Sequence, residues 1–224
     1  MKIAAVYTGT NPELVDRVES ELKAQFAGES YELISFKNPD IINEANQGAG
    51  FTPNCAKNLL VLYQEAVKAG ADIIFNMCSS VGDAAALAKP LYEMCGVSFV
   101  RVDEDMARAA VKAGRRIGVV ATLKSTLEPT KRLIRACAGE AGVKVELIDA
   151  LADGAFGLDQ EQFKNKLIET GAKVKDRVDL LLFAQGSMAY AEKAVSEALG
   201  LPVFSSVAYG ARAVKAAADK RKKS

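Results

Sequence analysis

The chain has 224 residues, half of them hydrophobic and a quarter charged, with a formal net charge of +1. That is enough for one large α/β domain or two small ones, and the near-neutral charge gives no reason to expect nucleic acid or an acidic membrane surface as a partner. It contains no histidine. Histidine triads, histidine metal ligands and histidine general bases are therefore excluded, and acid–base chemistry falls to thiols, carboxylates, lysines or tyrosines.

No apolar run approaches the length of a membrane span, and Met1-Lys2 leads straight into a strand pattern, so the expectation is a cytoplasmic protein without a signal peptide. There Cys55, Cys78, Cys95 and Cys137 are expected to be reduced, and their spacings match no metal or redox motif. The terminal Lys220-Arg221-Lys222-Lys223 reads as a solvated tail.

In chain order, Lys2–Thr8 predicts a strand, and Glu13–Phe26 a helix opened by Pro12 with Leu14, Val18, Leu22 and Phe26 on one stripe. Tyr31–Phe36 is a strand. Lys37–Pro53, with Pro39, Gly48, Gly50 and Pro53, reads as a long loop of the kind that is functional or mobile. A helix over Asn54–Ala69 leads to Asp72–Gly82, DIIFNMCSSVG, an apolar run that ends at a cysteine, two serines and a glycine. This predicts a buried parallel strand and the turn into a helix at Asp83–Met94, with Pro90 expected to kink or end it. Val97–Val102 is a strand and Asp103–Ala113 a helix. A second series follows: strand Arg116–Thr122, helix Ser125–Ala141, strand Val143–Ile148, a connection over Ala150–Gln160, helix Glu161–Lys175, strand Val178–Ala184, helix Met188–Leu199, strand Pro202–Ser206 and helix Ala208–Ala218. Strands alternating with helices throughout predict α/β architecture with parallel, doubly wound sheets.

The second series echoes the first. Lys2–Thr8 lies over Arg116–Thr122, Asp72–Val81 over Asp179–Met188, and Gly96-Val97 with Ala107–Ala109 over Gly200-Leu201 with Ala211–Ala213. Generic strand–helix units also look alike, but three matches in one order favour an internal duplication. The expected organisation is two Rossmann-like lobes, residues 1–102 with 207–224 packing back on them, and residues 103–206. A pseudo-twofold axis would set their strand ends across a cleft, where Cys78 meets its counterpart, Gln185.

Ligands of open α/β sheets collect at the carboxyl ends of strands, where helix N-termini suit a carboxylate and lower a thiol's pKa. Cys78 is therefore either a small buried hydrophobe or a site residue. Ser79, Ser80 and Ser187, the last beside Gly186, are helix caps, substrate contacts or both. The same holds for the polar sets after the two first strands, Thr8, Thr10 and Asn11, and Thr122, Ser125 and Thr126. Cys55 is a lesser candidate for a second thiol, and Cys95 and Cys137 read as spectators. Asp103, Glu104 and Asp105 complement a helix N-terminus. No dinucleotide or P-loop glycine pattern is present, so neither NAD nor ATP is expected.

The segments NMCSSVGDA, RIGVVATLKSTLEPT, LLFAQGSMA and VDEDMARAA carry a likeness over nearly the whole chain. It resembles the aspartate/glutamate/hydantoin racemase superfamily, which includes maleate isomerase and arylmalonate decarboxylase. The resemblance implies two lobes, no cofactor, a small carboxylate-bearing substrate, and two cysteines that remove and return an α-proton from opposite faces. It places Cys78 in the first cysteine position and Gln185 in the second. An amide has no useful acid or base pKa, so the implied site has one thiol, with the amide and the hydroxyl residues orienting the substrate. The expected function is cofactor-independent racemase or isomerase-type proton transfer beside a carboxylate. The alternatives are a malonate-type decarboxylase, a cysteine adding to a double bond as in maleate isomerases, and a non-catalytic carboxylate-binding protein. A homodimer is the default expectation.

Overall fold

The structure is a computed structural model that describes residues 1–9, 11–49, 51–155 and 157–223. The chain forms two compact units, Met1–Val102 with Val207–Ser224, and Asp103–Ser206.

The first unit contains β1 (Lys2–Tyr7), α1 (Pro12–Gln25), β2 (Glu32–Lys37), α2 (Asp40–Glu44), α3 (Pro53–Lys68), β3 (Ile73–Asn76), α4 (Gly82–Met94) and β4 (Ser98–Arg101). Its four parallel strands lie in the order β2-β1-β3-β4. Ile73, Ile74 and Phe75 are fully buried, which is why β3 reads as an unbroken apolar run rather than an alternation. Burying each such side chain contributes about 1.5–3 kcal/mol.

The second unit contains α5 (Glu104–Ala113), β5 (Arg116–Ala121), α6 (Lys124–Glu140), β6 (Glu146–Leu151), α7 (Gln160–Ala172), β7 (Leu180–Phe183), α8 (Glu192–Leu199) and β8 (Val203–Phe204). Its parallel order is β6-β5-β7-β8, the order of the first sheet. The chain ends in α9 (Ser206–Lys223). Gly210 of that helix lies against the first sheet: a Cβ there would fall 2.8 Å from Phe75 Cζ and 2.9 Å from the Val102 backbone.

The duplication holds at the level of register. Ile3 pairs with Ile73 in one sheet, and Ile117 with Leu180 in the other, the residues that the sequence repeat superposes. The flanking aspartates make the same bonds. Asp72 N–H donates to Lys2 O at 2.8 Å while its Oδ2 accepts from Lys2 N–H at 2.8 Å. Asp179 N–H donates to Arg116 O at 2.7 Å while its Oδ2 accepts from Arg116 N–H at 2.8 Å.

Several elements depart from the sequence expectation. Residues 40–49, read as loop, form α2 and a π-helical turn over Ala45–Ala49, because Ile41 and Ala45, four apart, are both buried in the core beside Leu59 and Tyr63. α4 runs through Pro90; Ala86 and Pro90 are on its exposed side, where water can take the carbonyl that the proline ring leaves unbonded. β6 starts three residues later than Val143, because Gly142 (φ 67°) and a Val143 N–H to Ala138 O bond use those residues to close α6. Gly186–Ala191 is a 3-10 turn ahead of α8.

Candidate active site

In the first unit the site is built on the carboxyl end of β3. Asn76, fully buried among apolar neighbours, accepts from Tyr63 Oη at 2.9 Å and donates from Nδ2 to the Cys78 carbonyl at 3.1 Å. Tyr63 is itself held edge-on by Tyr92 and Phe99, with ring centroids 5.7 and 5.0 Å away. The backbone that presents Cys78 is thus pinned from inside the core. Asn76 was not among the sequence candidates; the signal was an amide in an otherwise apolar strand, which must find partners when buried.

Cys78 is half-buried. Desolvation by the surrounding protein pushes its thiol up, and hydrogen bonds from the Thr8 hydroxyl, the Val81 and Ser80 N–H groups and the Ser80 hydroxyl pull in the other direction without overcoming it. The thiol is therefore protonated near neutral pH, with donors already in place for the thiolate. Ser80 serves this site instead of capping: α4 has Val81 at its N-cap and no side-chain cap bond. Ser79 is buried, and its carbonyl accepts from Gly82 N–H at 3.0 Å.

Arg101 is the second residue that sequence reasoning missed. It pairs with Asn76 across β3 and β4 and is buried. Its guanidinium crosses the turn after Cys78, where a Cβ at Gly82 would fall 2.5 Å from Nη2. Gly82 is needed for that passage, not for an unusual backbone angle. A lone arginine closing an apolar strand was the available signal.

After β1, Thr8 is buried, and Asn11 caps α1 by accepting from Leu14 N–H at 3.0 Å. Thr10 lies outside the described residues. Cys55 is buried, with its thiol directed to Ile41 O at 3.4 Å; Cys137 is buried and Cys95 exposed.

The second unit repeats the arrangement with different chemistry. Gln185 follows β7 by the same two residues as Cys78 follows β3. Its Oε1 accepts from Thr122 N–H at 2.8 Å and its Nε2 donates to Thr122 Oγ1 at 2.7 Å. Thr122 is the repeat partner of Thr8, so each unit joins the residue after its third strand to the threonine after its first. Gln185 retains one N–H and one lone pair. Gly186 is buried and Ser187 half-buried at the start of the 3-10 turn. α6 has Leu123 at its N-cap and no side-chain cap bond; Ser125 is half-buried and Thr126 buried in its first turn. Among the described residues no group of three or more His, Cys, Asp or Glu side chains could hold a metal ion, and no helix is long and apolar enough to cross a membrane.

The chain matches known proteins in family and in fold. The model of the Asp/Glu/Hydantoin racemase family matches residues 3–214. Glutamate racemase from Francisella tularensis subsp. tularensis SCHU S4 superposes with a TM-score of 0.74 at 13% identity, over 99% of this chain and 82% of that one. Allantoin racemase from Klebsiella pneumoniae gives 0.67 at 15%, over 96% and 86%, and Picrophilus torridus aspartate racemase 0.67 at 13%, over 97% and 95%. Identities this low show a shared fold. No curated protein sequence matches the chain. With the family model covering nearly all of its length, the chain belongs to the Asp/Glu/Hydantoin racemase family.

Proposed function

We propose that this protein transfers a proton at the carbon beside a carboxylate, without a cofactor, using Cys78 as its acid/base group. The observation that carries this reading is the placement of Cys78 at the end of a buried parallel strand, beside donors from Thr8, Val81 and Ser80 that favour its thiolate. Such donors stabilise a thiolate as it forms, and the α-proton is weakly acidic enough to need that help. Gln185 transfers no proton. With its other N–H and carbonyl lone pair tied to Thr122, its remaining N–H orients a carboxylate oxygen at the strand end of the second unit. Ser79 and Ser80 just before α4, with Asn11 after β1, supply the carboxylate contacts of the first unit. Thr8 and Thr122 orient the two working side chains.

A single thiol delivers protons to one face, so the reaction predicted is stereospecific exchange or isomerisation rather than symmetrical two-base inversion. A second reading, decarboxylation of a malonate-type acid, is favoured by one feature: desolvation keeps Cys78 protonated, as a proton donor to a decarboxylated enediolate must be. The substrate panel that separates them is amino acids, hydantoins, maleate and substituted malonates, followed by proton NMR in D2O and carbon dioxide release. Cys78-dependent turnover of a malonate, with carbon dioxide, selects the lyase; Cys78-dependent change in the others selects the isomerase. Binding of a carboxylate with thermal stabilisation but no turnover would leave only a binding protein.

A further inference from the structure

Arg101 and Gly82 are matched to one another, and the match is confined to the unit that carries the thiol. Arg101 closes β4 and is buried. Its guanidinium lies against Gly82, where an added Cβ would fall 2.5 Å from Nη2 and 3.2 Å from Cζ. The repeat that lays Cys78 over Gln185 lays Gly82 over Ala189 and Arg101 over Ser205. In the second unit Ser205 donates to Glu192, and a serine has no guanidinium to meet the methyl group of buried Ala189. The stability of α4 does not account for the arginine. A cation at a helix N-terminus opposes the helix dipole, which exposed Asp83 in the same first turn complements with the favourable sign. Burying a guanidinium also removes its hydration. Both penalties fall only on the unit with Cys78.

We propose that Arg101 is a positioning residue for Cys78: its guanidinium holds the outer side of the turn from Cys78 to Gly82, so that the Ser80 and Val81 N–H groups stay aimed at the thiol. The inner side is tied by Asn76 Nδ2, which donates to Cys78 O at 3.1 Å, and by Gly82 N–H, which donates to Ser79 O at 3.0 Å. Ser80 and Val81 lie between those two ties, and their N–H groups favour the thiolate. α4 has no side-chain cap bond to steady its first turn. Arg101 thus acts through the turn and not on the substrate, and its bearing on turnover rests on Cys78 as the proton carrier.

The test is the pH profile of Cys78 alkylation by iodoacetamide, read on the Cys78 peptide in wild type, Gly82→Ala, Arg101→Met and the double variant. Arg101→Met keeps an apolar stem without the guanidinium, whereas Gly82→Ala keeps the guanidinium but displaces it. Arg101→Met is expected to raise the Cys78 inflection by about one pH unit, a tenfold loss of thiolate at a fixed lower pH, and Gly82→Ala to raise it by about half a unit. The double variant should match Arg101→Met, because both substitutions remove one contact. Exposed Cys95 should keep its wild-type profile throughout. A Cys78 profile that superimposes on wild type in either single variant, with circular dichroism unchanged, would overturn the proposal, as would shifts that add in the double variant. Should Arg101→Met fail to fold, Gly82→Ala decides by the same criterion. Alkylation needs no substrate, so this result stands apart from the reaction assigned to Cys78, which falls only if exchange survives in Cys78→Ala.

Discussion

Gln185 grips Thr122 at two points, its Oε1 on the threonine N–H at 2.8 Å and its Nε2 on Oγ1 at 2.7 Å. The equivalent pair in the first unit is Cys78 with the Thr8 hydroxyl. One framework thus carries a thiol in one unit and an amide in the other. Thr122→Val removes the Oγ1 acceptor and should cost about 1 kcal/mol of stability. It also frees the amide to rotate, so KM for a carboxylate substrate should rise several-fold. Gln185→Glu keeps the pair, because the Thr122 hydroxyl can reverse and donate, but sets a negative charge against the substrate. Steady-state kinetics should show a KM increase of about tenfold or more, the equivalent of some 1.4 kcal/mol.

The Cys78 thiol should react with iodoacetamide along a pH profile that inflects above the ordinary thiol range near 8.5. Thr8→Val should move the inflection further up, because it removes a donor that favours the thiolate. Rates must be read by mass spectrometry on the Cys78 peptide, since exposed Cys95 reacts as well. A Cys78 inflection below that of Cys95 would show that the donors outweigh desolvation.

Asn76→Ala should remove the bond from the Tyr63 hydroxyl and the bond to the Cys78 carbonyl, at a cost of about 1 kcal/mol for each. Tyr63→Phe should cost less in the Asn76→Ala background than in wild type, because the bond that joins the two side chains is already gone. Urea denaturation of the two single variants and the double closes the cycle.

Asp179 is held down to a pKa of about 2 by the Arg116 and Arg115 N–H groups and the Arg116 guanidinium. Its unfolded value lies near 3.9, so the unfolded chain takes up the proton first. The stabilisation is complete above about pH 5 and disappears as pH falls through 2. Urea midpoints for wild type and Asp179→Asn should therefore differ at pH 6 and converge towards pH 2. A difference that is constant with pH would mean that the carboxylate charge is not responsible.

The strands were legible because full burial leaves nothing but apolar residues in Ile73–Phe75 and Leu180–Phe183, and the repeat was legible because Asp72 and Asp179 start both runs. What sequence could not supply was the fate of residues whose role depends on a distant partner. Glu44 is an example: it binds Thr52 Oγ1 and Asn54 Nδ2, the latter at 2.6 Å, and so closes a segment that composition alone presents as a loop. Val143 has strand character, yet its N–H bonds to Ala138 O and closes α6 beyond Gly142, so that β6 starts only at Glu146. The equivalent positions of Cys78 and Gln185, two residues past β3 and β7, were readable from the repeat. Asn76 and Arg101 were not, since their importance lies in contacts with Tyr63, the Cys78 carbonyl and Gly82.

The central claim is that Cys78 carries the proton. The measurement that addresses it most directly is proton NMR in D2O, following the α-hydrogen of each substrate candidate with wild type and Cys78→Ala. The account predicts loss of the α-proton signal with wild type, from one face, and a fall of at least about 100-fold in Cys78→Ala. Exchange at equal rates in the two proteins would contradict it.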